Sequence, residues 1–171
     1  MGLKDKITVE VYVSKTIKAL SIATSDAKGE KAVWRHAFGK PVCEDIKAWS
    51  LLIKDIPDEL SGIEDSPSYA ENAIYMAISA FAACGAQVDK ISLGQAAAKL
   101  GDSSRGRFTR LERARTIDDL WNNLKPLLRL ICSKKGSGLD YCLLAKELTK
   151  WQFDSLSTVR KWERDYYSAN S

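Results

Sequence analysis

Residues 69–84 read YAENAIYMAISAFAAC. Ile74, Met76, Ile78 and Phe81 stand among alanines, and the single charge, Glu71, lies near the start. A helix that is apolar around most of its circumference belongs inside a core. The stretch therefore predicts a central buried helix, opened by Ser66-Pro67 and closed by Gly85. The segments on either side read as amphipathic helices that wrap it.

Upstream, Ile7, Val9, Val11 and Val13 alternate as in a strand, whereas Val13, Ile17 and Leu20 keep helical spacing. Without a partner strand elsewhere, a helix within residues 4–24 is expected. Ser25-Asp26 and Gly29 suggest a break, followed by a short helix over 30–38 that stops at Gly39-Lys40-Pro41. A third helix is expected over 44–56, with Ile46, Trp49, Leu52 and Ile53 on its inner face and Pro57 as its stop. Residues 58–68 form an acidic link.

Downstream, 86–91 is a second link. Ser92 is placed to cap a helix over 93–100, and Gly101-Asp102-Ser103 breaks it. A basic helix follows over about 104–114. Thr116 caps the next, with Asp118 and Asp119 suited to its N-terminal dipole and Pro126 expected to kink it. A Lys/Gly/Ser turn at 133–138 leads to a helix over 139–151, and Asp154 or Ser155 opens the last, carrying Leu156, Val159, Trp162 and Tyr166 inward. The expectation is an all-α chain of about eight to nine helices. It divides into lobes 1–88 and 89–171, packed together or behaving as a single domain.

At 171 residues, with 45% hydrophobic and 28% charged side chains, the chain can bury a core without metal or disulfide staples. Four cysteines, at 43, 84, 132 and 142, show no CxxC spacing and fit a reducing compartment. No apolar run is long enough to cross a membrane, and MGLKDKITVEVYV lacks signal-peptide layout, so a cytoplasmic protein is expected.

Charge is concentrated rather than spread. Arg105, Arg107, Arg110, Arg113 and Arg115 face one acid, Glu112, which gives this stretch the +4 of the whole chain. Lys28, Lys31, Arg35 and Lys40 form a second basic group around Trp34 and His36, while Asp55 to Glu71 holds six acids and no base. On a helix, Arg107, Arg110 and Arg113 shift by about 60° per step and form a band, with Phe108 and Leu111 on the neighbouring side as anchors. Three readings fit such a band: a solvated face, a contact to an acidic protein, or a grip on phosphate, for which the planar guanidinium is suited. Trp34 reads as core more readily than as a stacking platform. Lys134 and Lys135 are a further basic turn.

Catalysis finds little footing. His36 is the one histidine, and nothing near it in sequence marks an orienting carboxylate or a nucleophile. GDSSRGR lacks the ending of a P-loop. No catalytic residue, metal site or cofactor is expected.

The order of motifs resembles the CasB family, the small subunit of type I-E CRISPR Cascade: ISLGQAAAKLG (91–101), RFTRLERART (107–116), LKPLLRLICSKKGSGLDYCLLAKELTKW (124–151) and VRKWERDYY (159–167). WRHAFGKP (34–41) and AWSLLIKDIPDEL (48–60) agree more loosely. The resemblance implies an all-helical, non-catalytic subunit present in two copies packed head to tail. These would line the guide RNA–target DNA hybrid and help hold the displaced DNA strand, beside the other Cascade subunits. It assigns nucleic-acid contact to Arg107, Arg110, Arg113 and Arg35, with His36 where some relatives carry a second arginine. Together with the charge pattern, the candidate contacts are Lys31, Arg35, His36, Arg105, Arg107, Arg110, Arg113, Arg115, Lys134 and Lys135. The alternative is a helix-turn-helix regulator built on 91–111, although its second helix lacks the Asn and Gln that usually read base edges.

Overall fold

The computed structural model describes residues 7–63 and 65–169. Among these, the chain forms α1 (Val9–Leu20), α2 (Ser25–Phe38), α3 (Ile46–Asp55), α4 (Tyr69–Cys84), α5 (Leu93–Ala98), a 3-10 turn (Gly101–Ser104), α6 (Arg105–Glu112), α7 (Ile117–Ser133), α8 (Tyr141–Trp151) and α9 (Ser155–Ala169). The described residues pair as strands only in two isolated bridges, Ile63 with Ser66 and Gln87 with Leu139. The all-α expectation holds. Residues 4–6, expected at the start of the first helix, lie outside the described residues.

The helix starts follow from short polar side chains. Thr8, Thr24, Asp45, Ser68, Ser92, Thr116 and Asp140 each accept a hydrogen bond from an amide in the first turn of the helix they precede. Ser68 and Ser92 complete capping boxes with Glu71 and Gln95. α4 is buried from Ala73 through Ala82 without interruption and packs against α1, α2, α3, α7 and α8. α5 lies on α9, α6 on α7, and α8 on α9. Trp34, Trp162 and Tyr166 are core residues, as expected, and Trp151 is buried with them.

Three sequence expectations need correction. α2 begins at Ser25 and runs through Gly29, because the Thr24 cap, Asp26 in the first turn and buried Ala27 offset the roughly 1 kcal/mol that a helical glycine costs. On α3, Ile46 and Ile53 face solvent, at 79% and 41% exposure, and the buried pair is Ala48 and Leu52. On α9, Leu156 is exposed, leaving Trp162 and Tyr166 as the buried spine.

Two buried acids act as joints. Glu147 on α8 takes the indole N–H of Trp162 on one oxygen and the Lys161 ammonium, at 3.2 Å, on the other, which ties α8 to α9. Asp45, 4% exposed, caps Ala48 and meets His36 Nδ1 at 3.0 Å and Lys40 Nζ at 3.2 Å, while Tyr75 Oη accepts from its amide. Burial alone would raise its pKa. The Ala48 amide, His36 and Lys40 outweigh burial and hold it near 2. The helix pair α5–α9 meets at Gly94, where an added Cβ would strike the Trp162 carbonyl and lie 2.8 Å from Asp165 Cβ and 3.0 Å from Tyr166 N.

Gly94→Ala is therefore expected to lower unfolding free energy by about 1–3 kcal/mol through overpacking, read from urea denaturation. For Asp45 the folded pKa lies below its unfolded value of 3.8, so its contribution is complete above that value and fades as pH falls toward 2. Wild type should lose about 2 kcal/mol more than Asp45→Asn over this interval, measured by unfolding at the two ends of the range.

Candidate nucleic-acid interface

The basic helix α6 is fixed from behind. Phe108 lies flat on Tyr166 of α9, ring centres 4.6 Å apart and planes 14° from parallel. Leu111 is fully buried and Ala114 nearly so, which completes an apolar row with three-residue spacing. At the entry, buried Ser104 donates to the carbonyls of Ala97 and Gly101 and sits 3.5 Å from Tyr166 Oη. Gly101, at φ 69°, makes the left-handed turn that starts the 3-10 segment.

Arg107 and Arg110 stand exposed on the opposite side of this helix. Arg113 occupies the C-cap with near-helical backbone, and exposed Arg115 follows just before Thr116 caps α7. Among the described residues, none of the five guanidinium groups has a carboxylate within 4.0 Å, although the Arg115 backbone amide donates to Asp119 Oδ2 at 3.3 Å. Arg105 differs from the rest, with its guanidinium 5.1 Å from the Tyr167 ring centre. The acid expected to answer this cluster, Glu112, faces Glu163 of α9. Burial, then the charge and hydrogen bond of Glu163, raise the Glu112 pKa to about 7 against the pull of Arg105 and Arg113. Near neutral pH that carboxyl is only partly ionised.

The second group surrounds the end of α2. Arg35 is exposed and donates from Nε to the Ala82 carbonyl near the end of α4, at 3.3 Å. Lys31 lies 5.2 Å from the Phe81 ring centre. His36 and Lys40 converge on Asp45, so the orienting carboxylate absent from the local sequence exists nine residues away, across the Pro41 turn. It also caps α3 and binds Lys40. Among the described residues, no hydroxyl or thiol is hydrogen-bonded to His36.

Sequence reasoning missed Lys125 and Arg129 on α7. Phe38 and Trp121 meet edge to face at 5.3 Å, and Trp121 Nε1 donates to the Lys40 carbonyl at 3.0 Å. Lys125 lies over Trp121 at 5.6 Å and Arg129 over Phe38 at 5.0 Å, so this aromatic pair brings both cations to the α2 turn. Burial and the like charge of Arg129 lower the Lys125 pKa. Their four-residue spacing beside Leu124 and Leu128 was the available signal. Of the Lys134–Lys135 turn, Lys134 donates to the Lys99 carbonyl at the end of α5, and Lys135 is exposed.

The described residues bring no three His, Cys, Asp or Glu side chains together as a metal-binding group. The geometry supplies exposed guanidinium and ammonium groups on a rigid frame, which suits backbone phosphate rather than base edges.

Comparison with known proteins agrees with this frame. The chain is similar to a Cse2-family CRISPR-associated protein from Thermus thermophilus, with TM-score 0.76 and 19% identity over 95% of this chain and 100% of that one. It is also similar to CasB from Thermobifida fusca, with TM-score 0.72 and 19% identity over 93% and 97% of the two chains. A chain of a CRISPR RNA-guided surveillance complex gives TM-score 0.72 and 19% identity, covering 95% of each. No curated protein sequence matches. The model of the CRISPR-associated protein Cse2 family matches residues 30–167, most of the chain, and the protein belongs to that family.

Proposed function

We propose that this chain is a non-catalytic small subunit of a type I-E CRISPR surveillance complex in the cytoplasm. There it grips the guide RNA–target DNA hybrid and the displaced DNA strand, alongside the other Cascade subunits and a second copy of itself. One observation carries the reading: Arg107, Arg110, Arg113 and Arg115 are exposed on an anchored segment, and among the described residues no carboxylate lies within 4.0 Å of their guanidinium groups. Unanswered guanidinium groups at close range repel one another, and phosphate oxygens relieve that repulsion through forked hydrogen bonds.

The physics of strand exchange favours such a device. Replacing a DNA duplex by an RNA–DNA hybrid is nearly balanced in free energy, so a few backbone contacts to either product shift the equilibrium. Base pairing supplies the sequence information, and the protein needs only charge along a track. Arg35, Lys125 and Arg129 offer a second stretch of such a track. His36 and Lys40 contribute less, because Asp45 already answers them.

The triple variant Arg107→Ala, Arg110→Ala, Arg113→Ala should fold normally and flatten the dependence of log Kobs on log salt for single-stranded DNA by about 2, at roughly 0.7 per lost phosphate contact. In the reconstituted complex it should slow R-loop formation. A salt slope and an R-loop rate equal to wild type would remove the proposal. Lys125→Ala with Arg129→Ala should flatten the same slope by about 1.4, whereas Lys40→Ala should change it little, since Asp45 already answers that ammonium. Filter binding across a salt series measures both.

A further inference from the structure

The last helix carries a tyrosine doublet whose members have opposite surroundings. Tyr166 is 3% exposed and lies against Phe108, whereas Tyr167 is 49% exposed. Successive helical residues are rotated by about 100°, so one ring joins the core and the next leaves it. The same rotation places Arg160, Arg164 and Tyr167 within about 60° of one another around α9. All three are exposed, and the buried residues Thr158, Trp162 and Tyr166 occupy the other side of the helix. Tyr167 also meets a third arginine. The guanidinium of Arg105, the first residue of α6, lies 5.1 Å from its ring centre. Tyr166 supports the same ring at 5.4 Å, with the two planes 83° apart.

No ion pair spends these charges. Among the described residues, no carboxylate lies within 4.0 Å of the Arg105, Arg160 or Arg164 guanidinium. Lys161, next to Arg160 in sequence, shows the alternative. It turns to Glu147 at 3.2 Å and Asp165 at 2.9 Å. The strip therefore presents three unanswered cations and one ring, on a helix held to the core by Trp162 and Tyr166.

We propose that Tyr167, Arg105, Arg160 and Arg164 form a site for unpaired nucleotides. One base stacks on the Tyr167–Arg105 pair, and Arg160 and Arg164 hold neighbouring phosphates. This site rests on the nucleic-acid reading above and adds strand selectivity to it. In a duplex or a hybrid each base is stacked on its neighbours and turns only its edges to the grooves. An unpaired base offers its face, whatever its identity. The Arg107, Arg110 and Arg113 band needs only phosphate and accepts either form. Tyr167 tells them apart.

The joining of ring and guanidinium suits this task. The ring restrains Arg105 without cancelling its charge. A guanidinium plane itself stacks on bases. Tyrosine presents a large face at low entropic cost, since only two side-chain torsions are fixed. An acidic protein surface would gain from the three arginines and nothing from the electron-rich face of the ring.

Filter binding of the full chain to oligothymidylate, to an abasic strand of equal length and to an RNA–DNA hybrid of that length tests the site. Tyr167→Ala should weaken oligothymidylate binding at least about fivefold, the low end of what one base stack supplies, and leave the abasic strand and the hybrid unchanged. Tyr167→Phe should keep wild-type affinity. Tyr167→Leu, which retains bulk without a π face, should behave as the alanine variant does. Arg160→Ala with Arg164→Ala should weaken the normal and the abasic strand alike and flatten the salt slope by about 1.4. In the reconstituted complex, an ultraviolet crosslink from the Tyr167 peptide to displaced DNA or to unpaired guide RNA identifies the strand that supplies the base. Equal oligothymidylate affinity for wild type and Tyr167→Ala would overturn the site, and the α6 triple variant reports separately on the broader reading. An equal loss on the abasic strand, or a crosslink confined to paired hybrid, would overturn it as well. So would lost co-purification with the other subunits at unchanged oligonucleotide affinity, which marks the strip as a protein contact. Circular dichroism of each variant confirms that folded proteins are compared.

Discussion

Every helix takes its place from α4, either directly or through one neighbour. α1, α2, α3, α7 and α8 touch it, α5 and α6 reach it through α7, and α9 reaches it through α8. A helix enclosed in this way admits almost no charge, since an unpaired buried ion costs several kcal/mol. Its one acid, Glu71, sits in the capping box and accepts from the Ser68 and Gly62 amides. The cations of the chain are consequently pushed to the rim, and the fold concerns which rim elements hold them still.

Aromatic side chains do most of that holding. Phe108 on Tyr166 keeps α6 from rolling and so fixes where Arg107 and Arg110 project. Phe38 and Trp121 seat Arg129 and Lys125 beside the Lys40 turn. A ring can hold a cation without neutralising it, since it offers a quadrupole rather than a counter-charge. An ion pair would have fixed the same side chains and cancelled their field. Asp45 shows the contrast, fixing His36 and Lys40 while spending their charge.

Much of this was legible in the sequence where the signal is local. Ser92 and Thr116 announce their helices because capping acts within a few residues. The run 69–84 announces the core because no amphipathic face is left in it. The arginine band and its Phe108–Leu111 backing are legible for the same reason, being a pattern within one short helix. What escaped depends on residues distant in sequence. Ile46 and Ile53 have the right spacing for a core face, but α3 lies at the edge and needs only Ala48 and Leu52 to seat it. The Asp45–His36 contact closes across a turn containing Cys43 at φ 63°, which no spacing rule specifies. Lys125 and Arg129 look like ordinary solvated positions until Phe38, far earlier in the chain, is seen beneath them.

The crossing at Gly94 has a mechanical meaning. With the Trp162 carbonyl, Asp165 Cβ and Tyr166 amide all against one Cα, α5 and α9 have no clearance in which to slide. They behave as a splint. Because Tyr166 also underlies Phe108, a load applied to the basic helix passes into this splint and on through Trp162 to Glu147 on α8, instead of being absorbed by a loop. The cationic edge is thus braced by the core rather than hung on a loop.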